Sequence, residues 1–140
     1  MSSKILIIDD NPTNLKLVSK LLEREGHKII QAVDAEKAQV VLAETLPELI
    51  LMDIALPGMD GLTLVRKLKA DERTRHICIV ALTAFAMKGD DQKAFDAGCD
   101  GYITKPIDTR KLPEQVAELL AKARPKPRIF SSYLRGGISL

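Results

Sequence analysis

What most constrains this chain is the regular return of short apolar runs, each followed by a stretch with helical spacing. Lys4–Ile8 is enriched in isoleucine and Leu49–Met52 is apolar throughout, and Lys28–Ala32, Ile77–Leu82 and Gly101–Thr104 complete a set of runs four to six residues long. Runs that stay apolar at successive positions suit strands covered on both faces. Between the first two runs, Asn11-Pro12 offers a helix cap with proline at the first helical position, Leu15, Val18 and Leu22 follow at helical spacing, and Gly26 is a stop. Asp34 caps a second helix through Ala38, Val41 and Leu42, which ends before Pro47. A third helix carries Leu62, Val65 and Leu68, and a fourth runs from about Lys88 to Ala97 and stops at Gly98. A fifth spans about Thr109 to Lys122, with Val116, Leu119 and Leu120 on its buried face. Five strands alternating with five helices predict a doubly wound α/β fold: a parallel sheet with right-handed crossovers and helices on both faces.

The 140 residues fit one domain able to bury its own core. Its apolar runs fall far short of a bilayer span, and the N-terminal one is too short for a secretory signal, so a soluble, cytoplasmic protein is expected. Two cysteines, Cys78 and Cys99, form neither a disulfide framework nor a zinc pattern and read as small core residues. Of 21 lysines and arginines, four (Arg124, Lys126, Arg128 and Arg135) stand in the acid-free segment 124–140, leaving 17 against 19 acids in the rest. A slightly acidic body with a short basic tail argues against direct DNA binding, since four charges give only loose, salt-sensitive phosphate contacts. Pro125-Lys126-Pro127 and Gly136-Gly137 break the helical pattern, so the domain is expected over 1–124, followed by a basic tail over 125–140.

Carboxylates at the ends of apolar strands need a purpose. Asp9 and Asp10 follow the first strand, Asp53 the third, Thr83 the fourth and Lys105 the fifth. In a parallel sheet these are all carboxyl ends, and ligands bind on that rim where the strand order reverses, which with the order 2-1-3-4-5 is between the first and third strands. Three neighbouring carboxylates repel one another, and a hard divalent cation such as magnesium relieves that repulsion. Lys105 adds a compact charge suited to a phosphate oxygen, and Thr83 adds a hydroxyl donor. Cationic centres, a hydroxyl and a carboxylate nucleophile suit phosphoryl transfer to a carboxylate, with Asp53 as candidate nucleophile and the Asp9/Asp10 pair free to hold metal.

These residues, with Lys105-Pro106 and the stretch Leu51-Met52-Asp53-Ile54-Ala55-Leu56-Pro57-Gly58-Met59-Asp60-Gly61, resemble the response-regulator receiver domain of two-component signalling. The resemblance runs from Lys4 to about Leu120 and implies a flavodoxin-like (α/β)5 fold. It implies a switch that takes a phosphoryl group from a histidine kinase or histidine phosphotransfer protein onto Asp53 with Mg2+. It further implies Asp10, Asp53 and the Ala55 backbone carbonyl as metal ligands, with Asp9 acting through water. Thr83 is similar to the switch hydroxyl, Tyr102 to the switch aromatic, Lys105 to the phosphate-pairing lysine, and Lys105-Pro106 to a cis-prolyl bond. A downstream protein would then bind the face made by the fourth helix, fifth strand and fifth helix. Such a protein acts chemically only on its own aspartate and is otherwise no enzyme.

Two positions depart from the family pattern, which often has polar or acidic residues there: Ala55, two after Asp53, and Phe85, two after Thr83. Both would border the path of a water attacking the acyl phosphate. Other readings are a receiver fragment of a hybrid kinase or larger regulator, and an aspartyl-phosphate hydrolase. The hydrolase would want a second aspartate where Ala55 stands. A nucleotide-binding domain is disfavoured because Asp9-Asp10-Asn11-Pro12 replaces any glycine-rich phosphate loop. The apolar residues of the tail (Phe130, Tyr133 and Leu134) fit a docking segment as well as a flexible end.

Overall fold

The computed structural model describes residues 3–54, 61–83 and 90–123. Along the chain these form β1 (Lys4–Ile8), α1 (Pro12–Arg24), β2 (Lys28–Ala32), α2 (Ala35–Glu44), β3 (Leu49–Asp53), α3 (Gly61–Ala70), β4 (Cys78–Thr83), α4 (Asp90–Ala97), β5 (Gly101–Thr104) and α5 (Leu112–Ala123). The strands make one sheet in the order β2-β1-β3-β4-β5, with every neighbouring pair parallel. The expected 2-1-3-4-5 doubly wound architecture is therefore the observed one. Phe85, the N-terminal part expected for the fourth helix and the tail 125–140 lie outside the described residues. Among the described residues, no helix is long and apolar enough to cross a membrane.

Period-two alternation along each central strand divides the core into two layers. Leu6, Ile8, Ile50, Met52, Ile79 and Ala81 pack with α2, α3 and α4. Their neighbours Ile5, Ile7, Leu49, Leu51, Val80 and Leu82 pack with α1 and α5. This double burial is why β3 and β4 carry no charged or hydroxyl residue before their final positions, and why β1 is apolar from Ile5 onward.

Local signals fix the helix ends. The Asn11 side chain accepts the N–H groups of Thr13 and Asn14, with Pro12 in the first turn of α1. Asp34 caps α2 by accepting from Lys37 N. After α1 the chain reverses through Gly26, whose φ of +90° lies in the left-handed region that glycine tolerates. Helix α5 begins at Leu112 rather than near Thr109. Asp108 first closes a separate turn, its carboxylate accepting from Arg110 N and Lys111 N, and Pro113 then occupies the first helical turn, where no N–H is needed. At the far end of the sheet, Lys69 Nζ ties α3 to the residues that lead into β4 and β5 by donating to the carbonyls of Arg75 and Ile77 and to Asp100 Oδ2 at 2.8 Å. The same Asp100 oxygen accepts from Ile79 N.

Cys78 and Cys99 are buried, at 2% and 6% exposure. Burial, with the nearby Asp100 charge adding to it and Lys69 opposing, pushes both thiols up to about 11. Only about one thiol in a thousand is then ionised at pH 8, and the thiolate is the reactive form. Iodoacetamide should label neither cysteine in the native protein and both in denaturant. Rapid labelling of the folded chain would contradict this packing.

Candidate functional site

The β1 and β3 ladders run together up to Ile8 opposite Met52, so Asp9 and Asp53 follow side by side. Asp9 N still bonds to Ala32 O of β2 at 3.1 Å, which extends the sheet under the first aspartate. Asp53 and Thr83 are the last residues of their strands and remain in the ladder, opposite Leu82 and Thr104. Lys105 N bonds to Thr83 O at 2.7 Å and is followed by a cis peptide bond to Pro106.

Alternation explains which side chains meet. Asp9, Asp53 and Lys105 continue the positions of Ile7, Leu51 and Ile103, all of which belong to the α1/α5 layer. Lys105 Nζ accordingly stands 2.9 Å from Asp53 Oδ2 and 3.4 Å from Asp9 Oδ2. Thr83 and Tyr102 share the opposite parity, and Tyr102 is half-buried against the α2–α4 layer. Thr83 is 1% exposed, Asp53 7% and Asp9 0%, whereas Asp10 is exposed. Asp9 can be fully buried as a carboxylate because both oxygens have donors: Oδ1 accepts from Asn11 N at 2.9 Å, and Oδ2 from the Asn14 side-chain amide and Lys105.

Asp9, Asp10 and Asp53 each offer one carboxylate oxygen, all within 4.8 Å of one another. Hard oxygen donors at that spacing, two nearly buried and one facing solvent, fit a magnesium ion that keeps part of its water shell. Among the described residues, one lysine pairs with this cluster of three carboxylates, an excess of acid that a divalent cation would offset. Burial alone would lower the Lys105 pKa, but hydrogen bonding and charge from Asp53, joined by Asp9, outweigh it and raise the value above 10.5. The amine is thus held protonated where a phosphoryl oxygen would need it.

The structure brings together Asp9, Asp10, Asp53 and Lys105, with Thr83 on the adjoining strand end. Ala55 lies outside the described residues. Asn14 is the residue that sequence reasoning missed. Its signal is its place three residues after the Asn11 cap, from which a helical side chain leans back toward the N-terminus.

The family model for the response regulator receiver domain matches residues 5–117. The chain belongs to the response regulator receiver domain family. This receiver is 41% identical over 123 residues to the polar-differentiation response regulator DivK of Brucella ovis, covering 88% of the chain and 100% of that relative. Among solved structures, it superposes on the receiver domain of a signal transduction histidine kinase from Syntrophus aciditrophicus with a TM-score of 0.81 and 31% identity, covering 89% of this chain and 95% of that one. It also superposes on the receiver domain of the sensor histidine kinase PA1611 from Pseudomonas aeruginosa PAO1, at 0.78 and 30% identity over 86% and 99% of the two chains. That structure has a magnesium ion coordinated in its active-site cleft. The acidic cluster of this receiver lies on the rim at the carboxyl ends of β1 and β3.

Proposed function

We propose that this receiver is a phospho-accepting signalling switch in which Asp53 takes a phosphoryl group from a phosphohistidine of a histidine kinase or phosphotransfer protein. The observation that carries the reading is the placement of Asp53 between an acidic pair and the Lys105 amine. A carboxylate oxygen of Asp53 attacks phosphorus, the P–N bond of the phosphohistidine breaks, and the departing imidazole keeps the electron pair and takes up a proton. The product is an acyl phosphate on Asp53. Lys105 pairs with a phosphoryl oxygen, and Thr83 donates its hydroxyl to another. Asp10, Asp53 and the Ala55 carbonyl would hold Mg2+, with Asp9 acting through a bound water, and the chemistry the cation would supply there is positive charge against the phosphoryl oxygens.

Support comes from the cluster's spacing, the family membership and the magnesium seen in a related receiver. The receiver closes at residue 124 in this reading, just past the end of α5, with 125–140 as a basic tail. Its chemistry is confined to its own aspartate, and the cytoplasm is where it works. Treatment with a small-molecule phosphodonor and magnesium, followed by peptide mapping, should place the label on Asp53. Absence of labelling, or labelling elsewhere, would overturn the reading.

The output follows from the parity of the rim. Drawing Thr83 toward the phosphoryl group frees space on the side where Tyr102 packs, and this couples Asp53 to α4, β5 and α5. Phe95, 45% exposed on α4, gives that face an apolar contact for a downstream protein. Thr83→Ala should accept phosphate within about threefold of wild type, because it loses one neutral hydrogen bond. Phosphorylation of that variant should no longer shift amide resonances of α4, β5 and α5. Wild-type shifts in Thr83→Ala would rule out the threonine–tyrosine route.

A further inference from the structure

We propose that Asn14 is a positioning residue for the cation site, holding the Asp9 carboxylate in the orientation that a bound divalent cation requires. The proposal rests on the phosphoryl-switch reading above and extends it to a residue on α1. Asp9 is fully buried, and its two oxygens are held from different directions: Oδ1 by Asn11 N at 2.9 Å and Oδ2 by the Asn14 side-chain amide. Donors on both oxygens fix the plane of the carboxylate, because rotation about its last bond would break both contacts. With one donor the plane is free to turn.

Lys105 cannot supply this restraint. Its amine is 3.4 Å from Asp9 Oδ2 but 2.9 Å from Asp53 Oδ2, and in the proposed reaction it turns to the phosphoryl group. Asn14 has no such second task. As a neutral donor it also adds no positive charge that would compete with a cation, which a lysine at this place would do.

The sequence builds the restraint as a closed ring. The Asn11 side chain accepts Asn14 N at 3.1 Å and Thr13 N at 3.0 Å, which fixes the first turn of α1. Pro12 presets the backbone between them. The Asn14 amide then reaches back to Asp9, and Asp9 in turn accepts from Asn11 N. Asp9, Asn11 and Asn14 thereby specify one another within six residues.

Two variants separate positioning from simple charge relief. Alanine removes the donor at a half-exposed helical position and is the better helix former, so Asn14→Ala keeps the fold. Histidine in Asn14→His places Nδ1 as many bonds from Cα as the asparagine amide and retains a donor. Calorimetric titration of the unphosphorylated protein with Mg2+ should show a dissociation constant about tenfold higher in Asn14→Ala, the loss expected for one hydrogen bond to a charged group. Asn14→His should stay within about threefold of wild type. If Asn14 only offset the charge of Asp9, its removal would leave magnesium binding unchanged or make it tighter, and that result would overturn the proposal. Equal weakening in both variants would also overturn it, by tracing the effect to shape rather than to the donor. Failure of the wild-type protein to bind Mg2+ would instead bring down the phosphoryl-switch reading along with it.

Discussion

Asp53→Asn is expected to lose phosphoryl uptake completely, to the background of the assay, while the protein stays folded. Asparagine has nearly the shape of aspartate, and its side-chain oxygen still accepts from Lys105 Nζ, which stands 2.9 Å from Asp53 Oδ2. It has no carboxylate oxygen to attack phosphorus, so nucleophilic capture stops with that single change. The other acids of the cluster are poor substitutes. Both oxygens of Asp9 are engaged by Asn11, Asn14 and Lys105, and the carboxylate is fully buried. Asp10 is exposed, and the ion pairs of Lys105 go to Asp9 and Asp53. Circular dichroism should superpose on wild type, and mass spectrometry after phosphodonor treatment should find no adduct. Stoichiometric labelling of Asp53→Asn at any other residue would move the acceptor away from β3.

How much of this was legible in the sequence depends on where each residue draws its partners. β1 and β5 carry the boundaries that the sequence predicts, and in β1 burial on both faces writes itself into composition from Ile5 onward. β4 is shifted by one residue, to Cys78–Thr83. Ile77 is apolar and buried, yet its N–H closes a turn on Thr74 O, so hydrophobicity marks it as strand where hydrogen bonding does not. Asp53 and Thr83 lie inside their strands because their backbones still pair in the ladder. That pairing is a property of the register and leaves no trace in residue type.

The acidic cluster was legible for a topological reason. Once the strands are parallel, every strand-end carboxylate comes to one rim, whatever its separation along the chain. Lys105 reaches Asp9 and Asp53 from β5 because all three share one parity, which period-two alternation also predicts. Asn14 was hidden because a polar residue in a first helical turn has many uses, and only its contact with Asp9 distinguishes it. The order of the strands and the parity of their ends therefore determine the site more than any single motif does.

The second large effect concerns Lys105. Lys105→Met keeps the aliphatic stem but removes the amine that pairs Asp53 and Asp9, leaving three carboxylates within 4.8 Å without that charge. Removing one partner of a buried ion pair destabilises by about 3–5 kcal/mol, because the remaining charge is left uncompensated. The Lys105 side chain keeps 19% exposure and Asp9 keeps its other donors, so a loss of about 2–3 kcal/mol is expected in metal-free buffer. The pH dependence has a definite sign. Burial lowers the Lys105 pKa, but Asp53 and Asp9 together raise it above 10.5, so the native chain holds this proton where the unfolded chain has begun to lose it. Its contribution is complete below 10.5 and fades as pH rises through the native value. Urea titrations should therefore show a constant gap between wild type and Lys105→Met up to about pH 10 and a narrowing gap beyond it. Magnesium should narrow the gap at neutral pH as well, because the cluster without its amine is more negative and gains more from a bound cation. A gap indifferent to magnesium would place the cation away from Asp9, Asp10 and Asp53.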